Sequence, residues 1–516
     1  MLRAAVFAAI GPLTLAAASP GAYWIGDLMP LLAMTTAMSV GVVVLRRLIA
    51  APLDPAAGSA IDLVVIGALT LPFLVVLELS TGAPPESVPR VRVVLAITVL
   101  VALALIIAIL RSRTLQSRAV AIVTTAAIVS VGWSSARIAR HEILLRRDLA
   151  QSPTAQRFRS WDADSAVRTW TKSSRPNVFL VILDAYGSDS LLQAKYGINH
   201  RALRGELAAL GFTEPSAFSS NYSRTFASVS SMLNFDHVFQ IERESVGGTQ
   251  HAGFLHALIR DNRTVRMFRA AGYTVHWMPA PLFAGRRLPP ADAVVHQIGG
   301  SPFARLWMNS ILIHTWLQKV STLGILAQAL GYRFDLSPAF ISGMELLPAL
   351  AANSTPTLAI VHVFAVHGPL LYDRTCGVHP AGMEQYGEAA AYANAVGCLD
   401  AAMVRVFRTI IARAGDHSII VAVGDHGPQV KSFAGEKWPS ASTPVNLAKA
   451  PFEAASFVYL PPSIRSEYTA PRTMVNLIPS LLQAIFGARM GRRPDDLFFS
   501  KPPPDQIYHF APVTRR

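Results

Sequence analysis

Four short stretches of this chain carry side chains that could do chemistry together. Asp184 ends the apolar run NVFLVILD that begins at Asn177. Ser223, Thr225, Ser228, Ser230 and Ser231 crowd the segment SRTFASVSS. His362 and His367 stand in VHVFAVHGP, and Asp425, His426 and Gly427 close IIVAVGDHG. Two carboxylates, an imidazole and a hydroxyl suit a borderline divalent ion such as Zn²⁺ or Mn²⁺. A Thr225 hydroxyl bound to such an ion at a helix start gives up its proton more readily, because the cation and the helix dipole both favour the alkoxide. Each piece also has a plainer role. Asp184 can cap a following helix, Thr225 can be an N-cap, and either histidine can be a hydrogen-bonded structural residue. The Asp-His-Gly triplet is the most specific of the four, since glycine permits a tight turn that aims both neighbours at one ion.

The elements that must hold these residues are strands. NVFLVIL is a continuous apolar run of the kind found in a buried parallel strand, and residues 357–364 and 418–423 read the same way. Asp184, His367 and Asp425-His426 all fall at or just past the C-terminal ends of these runs, the edge where open α/β sheets build sites. Further strands are expected at 273–278 and 455–460. Helices are expected near 202–210, 264–271, 386–414 and 474–486, with Thr225 in the first turn of another. The tail from Lys501, with its four prolines, reads as irregular.

Composition adds a membrane part. Of 516 residues, 52% are hydrophobic and only 15% charged, too apolar for one ordinary soluble domain. Five apolar segments fit membrane helices: residues 4–18, about 28–45, 61–79, 93–110 and 119 to about 133. The first is short enough to be an uncleaved helix or a signal peptide. Arg3, Arg46, Arg47, Arg111, Arg113 and Arg118 fall on one side of these segments, which puts the amino terminus in the cytoplasm and everything past residue 137 outside. Residues 310–331 are also apolar, but His314, Gln318 and Lys319 mark them as a buried or interfacial helix. The basic segment RIARHEILLRRDL, from Arg137, is either a helix on the membrane surface or a solvated connector, and the polar residues 151–176 read as a linker. The net charge of +14 comes without any nucleic-acid motif, so no nucleic-acid partner is expected. Cys376 and Cys398 are the only cysteines, and both lie in the part assigned to an oxidising compartment, so a disulfide between them is expected.

The motifs FLVILDAYG, NYSRTFASVSSMLN, HVFAVHGP, VAVGDHG and PRTMVNLIPSLLQAIFG occur in an order similar to that of the alkaline phosphatase/sulfatase superfamily. The chain most resembles its membrane-anchored members, the phosphoethanolamine transferases and lipoteichoic acid synthases. The resemblance implies an α/β protein: a helical membrane domain (1–136), a linker (137–174), a sulfatase/alkaline-phosphatase-like α/β/α sandwich (175–495) and a C-terminal tail (496–516). It implies Asp184, Thr225, Asp425 and His426 as metal ligands, Thr225 as nucleophile, and His367 as a contact to substrate phosphate or a second ion. The transferases usually have Glu where Asp184 stands, whereas a threonine at 225 fits them. The C/S-x-P-x-R motif that true sulfatases need is absent, which disfavours sulfate-ester hydrolysis. The expected activity is transfer of a phosphoryl-linked group, such as phosphoethanolamine or glycerol phosphate, from a membrane phospholipid to an envelope glycan or lipid. The alternatives are a hydrolase of the same fold and a catalytically inactive membrane protein.

Overall fold

A computed structural model describes residues 6, 9–18, 25–49, 58–59, 61–62, 64–66, 108, 111–215, 217–244, 251–278, 293–294, 338–368, 370–379, 388–428, 450–501 and 509–513. The described residues fall into two compact units, one up to Ile143 and one from Leu144 onward. In the first unit, α1 (Ile10–Ala18) and α2 (Ile25–Ile49) share a small core of Leu13, Ala16, Leu28 and Leu31 with Ile138. Ile138 lies on α3 (Arg113–Gln151), a single helix of 39 residues. Among the described residues, two stretches are long and apolar enough to cross a membrane, Leu31–Leu48 and Val120–Gln151. They overlap the second and fifth expected segments. Most of the third and fourth segments, and residues 310–331, lie outside the described residues.

The second unit is built on a seven-stranded sheet of order β2-β7-β6-β1-β5-β3-β4. Its centre is β1 (Asn177–Leu183), flanked by β5 (Thr357–Val363) and β6 (Ser418–Gly424), both parallel to it. All residues of these three strands are buried, as expected for strands covered on both faces. Next to β5 lie β3 (Thr274–Met278) and β4 (Ala293–Val294), both parallel. On the other side β7 (Ser456–Tyr459) runs antiparallel to β6 and to the short β2 (Phe212–Thr213).

Alternation along the strands decides what faces the site. Val178, Leu180 and Ile182 of β1, Leu358 and Ile360 of β5, and Ile419, Val421 and Val423 of β6 join one core with Met232, Val265, Phe268, Leu477 and Ile485. Those last residues come from α6 (Thr225–Asn234), α7 (Arg263–Ala270) and α9 (Leu477–Phe486). A strand side chain changes face at every residue, so Asp184, His362 and Asp425 continue the rows that face these helices.

Two expectations are corrected. Residues 151–176 are not a free linker: they carry α4 (Pro153–Arg159) and α5 (Ala163–Arg168), with side-chain N-caps at Ser152 and Asp162. Phe158 is fully buried, Trp161 meets Phe235 edge-on at 5.2 Å, and Trp170 stacks on Phe486 at 3.9 Å. The polar composition hid three aromatic anchors and two capping signals. Nor are residues 509–513 of the tail irregular: β9 (His509–Val513) pairs antiparallel with β8 (Leu497–Lys501), Phe498 opposite Pro512. A proline is tolerated on an edge strand, and among the described residues β9 pairs with β8 alone.

The two cysteines form a disulfide, Cys376–Cys398. It ties the segment after His367 to α8 (Glu388–Ala414).

Candidate metal centre

Asp184 extends β1 by one residue, its N–H donating to Val363 O at 2.9 Å. Asp425 extends β6 in the same way, donating to Leu183 O at 3.3 Å. The two carboxylates are therefore set by the ladder that holds the sheet together. Between them the chain turns at Ala185, whose φ of 59° is left-handed and uncommon for a residue with a Cβ. The turn aims Ala185 N–H at Asp425 Oδ1, 3.0 Å away, and Tyr392 of α8 donates to Ala185 O at 2.9 Å. Asp184 does not cap the next helix; that cap is Ser188, whose side chain accepts from Leu191 N–H.

His426 follows directly. Its Nδ1 lies 2.7 Å from Gly427 O, and a carbonyl only accepts, so Nδ1 carries the proton and Nε2 presents a lone pair. That Nε2 lies 3.7 Å from Asp184 Oδ1, 3.6 Å from Asp425 Oδ2 and 3.0 Å from Thr225 Oγ1, which donates to it. Gly427 is needed for space and not for a left-handed turn: a Cβ there would come within 1.8 Å of Ala450 O.

Thr225 is the first residue of α6, and Arg224 is its N-cap, so the plain capping role does not describe Thr225. Its hydroxyl sits where the first backbone N–H groups of a helix favour negative charge. Ser228 is occupied elsewhere: its Oγ donates to Tyr222 O at 2.9 Å and pairs with Ser220 Oγ at 2.8 Å. The loop before Thr225 is held by the C-terminal hairpin. Phe498 N–H donates to Asn221 O at 2.8 Å, and Ser500 N–H to Ser223 Oγ at 2.9 Å.

Asp184, Asp425 and His426 are fully buried, and a ligand atom from each lies within 4.8 Å of the others. Asp184 Oδ1 and Asp425 Oδ2, the two oxygens nearest His426 Nε2, have no hydrogen-bond partner. Burial opposes ionisation of Asp184, but the imidazoles of His367, His362 and His426 outweigh it and hold this carboxyl below the usual carboxylate range. Burial, and then the charge of Asp184, push Asp425 upward. Two buried carboxylates driven apart in this way are in the electrostatic situation that a cation relieves. The donor set, the orphaned oxygens and the lone pair on Nε2 therefore fit a divalent metal.

The structure brings together Asp184, Thr225, Asp425 and His426 as the sequence motifs implied. His367 is half-buried, with its ring 4.2 Å from that of Phe364 and its Nδ1 donating to Gly368 O at 2.8 Å. Among the groups that lower Asp184 it is the largest influence. The motif reading gave no role to His362, whose Nε2 lies 3.0 Å from Asp184 Oδ2. The signal was present: His362 continues the row Leu358–Ile360 and stands in register with Ile182, two residues before Asp184.

Among solved structures, the C-terminal periplasmic domain of EcEptC from Escherichia coli in complex with Zn aligns at 13% identity, covering 63% of this chain and 90% of that one, with a TM-score of 0.39. The integral membrane protein lipooligosaccharide phosphoethanolamine transferase A from Neisseria meningitidis aligns at 13% identity over 89% of this chain and 88% of its own, TM-score 0.38. A protein in the alkaline phosphatase superfamily from Vibrio parahaemolyticus aligns at 13% over 67% and 83%, TM-score 0.38. No curated protein matches the chain. The family model described as Sulfatase matches residues 176–488, more than half of the chain, and the chain belongs to that family.

Proposed function

We propose that this protein is a metal-dependent transferase that moves a phosphoryl-linked group from a membrane phospholipid to a hydroxyl of an envelope glycan or lipid, by way of Thr225. The carrying observation is the convergence of Thr225 Oγ1, at a helix N-terminus, on His426 Nε2 at 3.0 Å, beside two buried carboxylate oxygens without partners. Asp184, Asp425, His426 and Thr225 would hold the cation, with Zn²⁺ or Mn²⁺ suited to these donors. Bound there, it supplies Lewis-acid stabilisation of negative charge and eases ionisation of the threonine.

The chain's own groups do the rest. Thr225 Oγ1 forms a bond to phosphorus as the bond from phosphorus to the donor's glycerol oxygen breaks, and the threonine proton leaves with that glycerol hydroxyl. The N-terminal N–H groups of α6 face the phosphoryl oxygens. His367, half-buried beside the carboxylates, contacts the phosphate. An acceptor hydroxyl then attacks the same phosphorus and Thr225 departs. The apolar stretches in α2 and α3 support anchoring in the inner membrane, with the catalytic unit on the exported side near its lipid donor.

Product analysis of the purified full-length protein in phospholipid micelles tests this reading. The expected result is diacylglycerol release that rises when an acceptor lipid or glycan is added, with the head group recovered on the acceptor. Head group recovered only as the free phosphate ester, with or without acceptor, makes the protein a hydrolase. No release with any metal makes it inactive.

A further inference from the structure

Three of the four side chains of the candidate centre turn a second polar atom away from it, toward a neighbouring group. His426 is held at Nδ1 by Gly427 O, 2.7 Å away. Asp425 is held at Oδ1 by Ala185 N–H, 3.0 Å away. Both holders are backbone groups. Asp184 Oδ2 instead meets a side chain, His362 Nε2, at an ion-pair distance of 3.0 Å.

We infer that His362 is the positioning residue of Asp184: it occupies Oδ2 so that Oδ1 alone is presented to the cation. The inference rests on the metal reading above. An aspartate carboxyl turns about χ2 in a broad, two-fold well, so an unrestrained Asp184 would exchange its oxygens and lose freedom on binding. A donor fixed on a rigid strand removes that freedom in advance. His362 meets the requirement. It is the penultimate residue of β5, 5% exposed, and paired in register with Ile182 of β1. Asp184 N–H bonds to Val363 O, so the carboxylate and its holder hang from adjacent rungs of one ladder. Asp184 Oδ1 is left buried and without a partner, 3.7 Å from His426 Nε2. Partners behind a metal ligand typically change metal affinity about 10–100-fold when removed.

The test is the affinity of chelator-stripped, full-length protein for Zn²⁺ and for Mn²⁺, measured for wild type, His362→Leu, His362→Gln and Asp425→Asn. Leucine keeps most of the volume and has no donor, whereas glutamine keeps an N–H donor. The expected result is an affinity about 10–100-fold weaker for His362→Leu, with His362→Gln restored to within a few fold of wild type. Wild-type affinity in His362→Leu, or equal losses in the leucine and glutamine variants, overturns the positioning role. Asp425→Asn separates the two readings. If it binds metal as wild type does, the metal reading itself fails. If it loses metal while His362→Leu does not, only the role of His362 is overturned.

Discussion

The two halves of the candidate centre are held in different ways. Asp184, Asp425 and His362 sit on or one residue past three adjacent parallel strands, and the ladder that closes the sheet also fixes them. Thr225 starts a helix, and its approach loop is pinned by a hairpin 277 residues later in the chain, through Asn221–Phe498 and Ser223–Ser500. The strand half therefore comes with the core, whereas the threonine half needs the C-terminal hairpin to be in place. Damage to the first should remove the metal, and damage to the second should misplace the nucleophile while leaving the two carboxylates and the imidazole to hold most of the metal affinity.

Asp184→Ala gives the largest effect. The protein keeps its circular dichroism spectrum, loses metal by elemental analysis, and turns over about a hundred- to a thousandfold more slowly. Full metal content in this variant would break the comparison on the strand side.

Phe498→Ala attacks the other half. Phe498 is buried, stacks on Tyr222 at 5.5 Å and on Phe239 at 4.3 Å, and its removal should cost about 3–5 kcal/mol. Thermal unfolding reads that loss. Turnover should fall, and metal affinity should fall far less than in Asp184→Ala, because of the four expected ligands only the neutral Thr225 is displaced. A loss of metal as large as that of Asp184→Ala would show that the two halves are not independent.

The disulfide is the smaller lever, and it acts on the strand side. Cys376–Cys398 closes a loop with a sequence separation of 22, and it fastens the segment after His367 to α8, whose Tyr392 props the Ala185 turn. The paired Cys376→Ser, Cys398→Ser variant should be less stable by about 3 kcal/mol in denaturant titration. Its KM should rise more than its kcat falls, because His367 is the group displaced. An unchanged KM would separate the disulfide from the site.

How much was legible in the sequence follows the same division. Asp184 and Asp425-His426 stood out because an apolar run cannot end in a carboxylate without a reason, and the strands they end prove to be neighbours. Thr225 stood out as a hydroxyl expected in the first turn of a helix, and the structure makes it the first residue of α6. His362 was named but given no role, because a histidine inside a strand carries no signal until the alternation is counted across to Asp184. The hairpin that pins the Thr225 loop was hidden by its prolines, and its pairing partner could not be read from local pattern. The ordered segment after α3 was hidden by polarity, although Phe158, Trp161 and Trp170 anchor it. Long-range pairing, not chemistry, was the illegible part.

The central claim is that Thr225 carries the transferred group. Incubation of the full-length enzyme with phospholipid donor and no acceptor, followed by acid quench and peptide mass spectrometry, tests it directly. The account predicts a phosphoryl-linked adduct on Thr225, discharged on addition of acceptor, absent in Thr225→Ala and retained in Ser228→Ala. Thr225→Ala itself should cost only about 1 kcal/mol of stability, the net worth of its one hydrogen bond to His426. An adduct on Ser228, or full turnover in Thr225→Ala, would contradict the account.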